Sequence, residues 1–104
     1  MTNKLFYSPK CTPIPFRSGS IASFFWGTSS NPPILLLHGG LANSHWYAQL
    51  GFDLSQHFYV GAFDLPGHGQ STWLDSYDWA VFAEFFQTIL ACFPTPPILI
   101  AHSF

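Results

Sequence analysis

Two short apolar runs, each followed at once by a histidine, constrain the fold of this 104-residue chain more than any other feature. The first run is Ile-Leu-Leu-Leu at residues 34–37, and the second is Ile-Leu-Ile-Ala at residues 98–101. Neither run alternates between apolar and polar side chains, so each predicts a strand that is apolar on both faces. Such strands are typical of a parallel sheet covered on both sides, and the chain is therefore predicted to be an α/β protein.

The second run leads into His102 and Ser103. A serine on a sharp turn between a strand and a helix is the arrangement of the nucleophile elbow, in which small residues stand two positions before and after the serine. Ala101 provides the first small position, and the second would be residue 105. A serine at the end of a strand also commonly caps the following helix, and the segment Ala-His-Ser-Phe alone favours that cap.

The first run leads into Gly39 and Gly40. Glycines at this point let the backbone turn its N–H groups toward a ligand without a Cβ in the way. Such donors can hold the negative oxygen that develops when a serine attacks a carbonyl group. Two glycines also serve an ordinary turn between a strand and a helix, which is the simpler interpretation of this segment by itself.

A third segment, residues 58–64, reads as a strand and is followed by the loop Leu-Pro-Gly-His-Gly-Gln-Ser at residues 65–71. Proline fixes φ and glycine supplies positive φ, so the loop is predicted to be a tight series of turns. Asp64 and His68 could form a catalytic pair. Backbone hydrogen bonding within the turn explains both residue types, and structural roles are therefore favoured.

In their order and spacing, the three segments together resemble the N-terminal part of an α/β-hydrolase-fold protein, from about Gly19 onward. The resemblance implies an α/β fold in which residues 1–104 form a truncated, partial domain with mostly parallel strands and flanking helices. It also implies Ser103 as the nucleophile and the N–H groups of Gly40 and Phe104 as the oxyanion hole, with Leu41 as the alternative to Gly40. It implies structural roles for His38, Gly39, Asp64, Gly67, His68 and Gly69.

In that family the acid and then the histidine of the triad follow the serine along the chain, so both are expected beyond residue 104. The implied function is a serine hydrolase acting on an ester-like carbonyl through an acyl-enzyme, with the 104-residue chain itself inactive. The alternatives are a non-catalytic α/β-hydrolase-like binding protein, and a carbon–carbon bond hydrolase or acyltransferase on the same fold. Dehalogenases and epoxide hydrolases are disfavoured, because those relatives have Asp where Ser103 stands.

Composition excludes several other classes of protein. Charged residues make up 8% of the chain and only three are basic, so there is no basic patch for nucleic acid. The two cysteines and five histidines lack metal-ligand spacing, and no metal or cofactor is expected. There is no signal-like or membrane-spanning apolar stretch, so a cytoplasmic location is expected. The resemblance implies a small-molecule, ester-like substrate. Aromatics reach 19%, which predicts an apolar surface that further strands would cover.

Periodicity predicts two helices beside a strand at residues 20–26. The first helix carries Trp46, Leu50 and Leu54. The second follows Asp75, with Asp75 and Asp78 as capping residues and Pro94 as the stop. A stripe at helical spacing is predicted to face the sheet, and its members are Trp79, Phe82, Ala83, Phe86, Ile89, Leu90 and Phe93. The last strand, residues 98–101, is expected to form an exposed apolar edge.

Overall fold

The computed structural model describes residues 11–38, 48–74 and 77–101, which form one five-stranded sheet and two helices. In chain order the elements are β1 (Thr12–Phe16), β2 (Gly19–Trp26), β3 (Pro33–Leu37), α1 (Ala48–Leu54), β4 (Tyr59–Phe63), α2 (Trp79–Leu90) and β5 (Ile98–Ala101). Neither helix in these ranges has the length and apolar character needed to cross a membrane.

The sheet is mixed, with the strand order β1-β2-β4-β3-β5. Strands β4, β3 and β5 are parallel, whereas β2 pairs antiparallel with both β1 and β4. The predicted α/β fold is confirmed. Strand β1 was not predicted, because Pro13 and Pro15 interrupt its sequence. Both prolines are tolerated because β1 is an edge strand. On the open side of an edge strand, a residue without an N–H does not remove a hydrogen bond to a neighbouring strand.

The two helices cover opposite faces of the sheet, and each packs on its own apolar core. One core joins Phe63 and its neighbours to α2 through Val81, Phe85 and Ile89, all of which are buried. The other core joins Trp26 and Val60 to α1. Helices on both faces are the arrangement that lets β3 be apolar on both sides, as its sequence predicted.

One of the two predicted capping residues of helix α2 is observed, but the residues that face the sheet are not the predicted ones. Asp78 is the N-cap, and its Oδ1 accepts a hydrogen bond of 2.9 Å from the N–H of Val81. Asp75 and Trp46 lie outside the described residues. The predicted stripe is wrong for Trp79, which is 89% exposed, and for three further exposed members, Ala83, Phe86 and Leu90. It is confirmed for Ile89 and Phe93, which are buried.

The error in the stripe has a physical cause. Helix α2 is apolar around most of its circumference, so two sets of residues satisfy the helical period. The buried set is Val81, Phe85 and Ile89, spaced four residues apart, and Phe93 continues it after the helix ends. Periodicity alone therefore identifies the helix without deciding which of its apolar faces meets the sheet.

Strand β5 is exposed along its whole length. The side chains of Ile98, Leu99 and Ile100 are 37–59% exposed, and the strand pairs with β3 on one side. The expected apolar edge is therefore confirmed. Because parallel strands that are apolar on both faces are normally covered, β5 leaves a surface able to accept further packing.

Candidate active site

Three parallel strands end together at one edge of the sheet. Leu37, the last residue of β3, pairs with Phe63 at the end of β4 and with Ala101 at the end of β5. Residues that follow these strands therefore start from neighbouring positions. In α/β sheets, this carboxyl edge is where ligands bind.

The segment after β4 is a turn held together by its own side chains. Asp64 is fully buried, and its Oδ2 accepts a hydrogen bond of 2.9 Å from the N–H of Gln70. The Ser71 hydroxyl donates to the carbonyl of Asp64 at 2.6 Å and accepts from the N–H of Ala22 at 2.9 Å. These bonds close the turn on itself and tie it to β2.

Backbone hydrogen bonds make the same segment a double turn, as its sequence predicted. The N–H of His68 donates to the carbonyl of Leu65, and the N–H of Ser71 donates to that of His68, both at 2.9 Å. Gly67 and Gly69 have φ of 77° and 51° within these turns. A Cβ on Gly67 would also lie 2.5 Å from the Tyr77 hydroxyl oxygen, so the position requires glycine for both conformation and space.

Two histidines meet at this edge, with ring centroids 5.4 Å apart. His38 follows β3 directly, is 1% exposed, and accepts through Nε2 a hydrogen bond of 2.9 Å from the N–H of Leu65. Nδ1 of His68 lies 3.1 Å from the carbonyl oxygen of Pro66, so the neutral ring carries its proton there. Both rings therefore bond to the backbone of the turn that follows β4.

Five of the predicted site residues, Ser103, Phe104, Gly39, Gly40 and Leu41, lie outside the described residues. The structure describes the strand ends from which they continue, at Leu37 and Ala101. It also describes the residues predicted to be structural at this edge, and it brings together His38, Asp64, Gly67, His68 and Gly69.

An apolar cavity of about 690 Å³ opens at the same edge, between α2 and β5. His38 and Leu65 contribute to its lining, together with Trp79 and Phe86 from α2 and Leu99 from β5. The cavity was not predicted, because it depends on which apolar face of α2 is turned away from the sheet. The high aromatic content of the chain, 19%, was the one sequence signal for it.

The described side chains offer neither a metal site nor a reactive thiol. In residues 11–38, 48–74 and 77–101, no group of three or more His, Cys, Asp or Glu side chains could hold a metal ion. Burial raises the pKa of the Cys92 thiol. Burial also raises the pKa of Cys11, against a smaller lowering by a backbone hydrogen bond at Ser23. A raised pKa reduces the thiolate fraction at neutral pH, so neither cysteine is suited to act as a nucleophile.

Comparison with known proteins identifies the family. A family model described as alpha/beta hydrolase fold matches residues 32–104, a span that includes β3, the turn after β4, and β5. The chain therefore belongs to the α/β-hydrolase fold family.

Curated and solved relatives agree with that family. The chain is 35% identical over 72 residues to (E)-2-((N-methylformamido)methylene)succinate hydrolase of Acinetobacter baylyi, a match covering 62% of this chain and 27% of that protein. It is 44% identical over 54 residues to a human serine hydrolase-like protein, covering 52% of this chain and 27% of that protein. Its fold matches the thioesterase domain from the curacin biosynthetic pathway with a TM-score of 0.83 and 27% identity.

The structural match covers 92% of this chain and 36% of the thioesterase domain. The matched part of the chain thus spans about a quarter of the length of the two curated relatives, and about a third of the solved domain.

Proposed function

We propose that the protein containing this chain is a serine hydrolase that acts on an ester-like carbonyl through an acyl-enzyme. The parallel pairing of Leu37 with Ala101 is the observation that carries the proposal. Because these two strand ends are neighbours, the glycine segment that follows β3 and the serine segment that follows β5 continue from adjacent positions at the carboxyl edge of the sheet, where ligands bind in α/β proteins. An oxyanion hole and a nucleophile have to be neighbours, and the pairing of the two strand ends supports the proposal for that reason.

In the proposed reaction, the Oγ of Ser103 forms a bond to the carbonyl carbon while a histidine takes its proton. The N–H groups of Gly40 and Phe104 stabilise the oxyanion of the tetrahedral intermediate, with Leu41 as the alternative first donor. The ester C–O bond then breaks, and the leaving alcohol receives the proton from the histidine. Water, deprotonated by the same histidine, releases the acid and regenerates the serine.

The acid and the histidine of the triad are proposed to follow Phe104 in the sequence, in the order that the family has. Within the described chain, His38 and His68 bond to the backbone of the turn after β4, which supports structural roles for them. The names of the relatives support hydrolysis, because one is called a hydrolase, one a serine hydrolase-like protein and one a thioesterase domain. The proposed reaction needs no cofactor, and a cytoplasmic location stays a prediction.

The test is ester hydrolysis by the full-length gene product, assayed with p-nitrophenyl acetate and p-nitrophenyl butyrate. Ser103→Ala is expected to lower kcat by about 10³-fold or more, because the nucleophile is lost. Ser55→Ala, at the end of α1, is the matched control and is expected to hydrolyse both esters at the normal rate. Normal hydrolysis by Ser103→Ala would contradict the proposal. A folded protein without activity on esters or thioesters would instead favour the non-catalytic alternative.

A further inference from the structure

We draw no further inference here: the strongest candidate, the apolar cavity between α2 and β5, opens at the edge of the site already described, and nothing in the described part of the chain shows what covers it.

Discussion

Leu37 and Ala101 are paired in parallel register at the carboxyl ends of β3 and β5. Phe63 continues the same row at the end of β4, so the turn after β4 borders both segments. The most strongly hydrogen-bonded part of this edge is that turn, where Asp64 and Ser71 are buried and bonded to the backbone. The turn after β4 is therefore a rigid support beside the ends of β3 and β5, the two strands that precede Gly40 and Ser103 in the sequence.

Ser71 is predicted to be a main source of that rigidity. Ser71→Ala removes both the acceptor for the N–H of Ala22 and the donor to the carbonyl of Asp64. Leaving these buried groups without partners should lower the free energy of unfolding by about 2 kcal/mol or more. Urea denaturation of the variant and its parent measures this difference.

The matched control for Ser71→Ala is Ser55→Ala. The Ser55 hydroxyl donates to the Phe52 carbonyl at the partly exposed end of α1, where water can replace it. Its loss should lower the free energy of unfolding by about 1 kcal/mol or less. Equal destabilisation by the two substitutions would show that the buried turn has no special role.

Helix α2 provides a second prediction, because its two apolar faces have different environments. Phe85 is fully buried and packs edge-to-face on Phe16, with ring centroids 6.3 Å apart. Phe85→Ala should lower the free energy of unfolding by about 3–5 kcal/mol. Trp79→Ala, at a position 89% exposed, should change it by about 0.5 kcal/mol or less. The reverse order in thermal denaturation would mean that the stripe expected from the sequence is the buried one.

This helix also shows how far the sequence predicts the structure. The strands at residues 34–37 and 98–101, the presence of helix α2 with Asp78 among its capping residues, and the tight turns before Ser71 all follow from local patterns. Two features depend on tertiary packing instead. Choosing the buried face of α2 requires knowing where the sheet lies, and pairing His38 with Leu65 requires knowing that β3 and β4 are neighbours.

The same limit applies to the candidate site. The roles of Ser103, Gly40 and Phe104 were predicted from motif order, and they stay predictions. Strand β1 was missed for a different reason, since Pro13 and Pro15 weaken a strand pattern unless the strand lies at a sheet edge. The position of an edge is a property of the whole sheet.

The Cys92 thiol should be less reactive in the folded chain than in the unfolded one. Burial raises its pKa above the ordinary value of 9.0, so less thiolate is present at a given pH. In a Cys11→Ser background, alkylation by iodoacetamide at pH 8 should be slower without urea than with it.

The raised pKa also fixes the sign of a pH effect on stability. The folded chain holds the Cys92 proton more tightly, so this contribution is fully present below the ordinary pKa and is lost as the pH rises above it. Stability should therefore fall above about pH 9, and Cys92→Ala should show a weaker fall. Equal alkylation rates in the folded and unfolded states would contradict the burial of this thiol.

The exposed strand β5 should make the 104-residue chain self-associate. Its edge carries apolar side chains without charge, and Ile98 is 58% exposed. Ile98→Lys should reduce association, because a charged edge residue opposes strand-to-strand pairing. Leu50→Lys, on the exposed side of α1 at 39% exposure, is the control for a general loss of apolar surface. Sedimentation velocity at several concentrations would show the difference, and equal effects of the two substitutions would exclude the strand edge as the cause.

Labelling with a fluorophosphonate probe tests the central claim, that Ser103 is the nucleophile of a serine hydrolase. The probe reacts with a serine that an adjacent base activates, and a serine without such a base is an ordinary alcohol. In the full-length gene product, peptide mapping should place the label on Ser103, and Ser103→Ala should abolish it. The 104-residue chain should remain unlabelled, because the activating histidine is proposed to follow Phe104. A folded full-length protein that stays unlabelled at Ser103 would contradict the account.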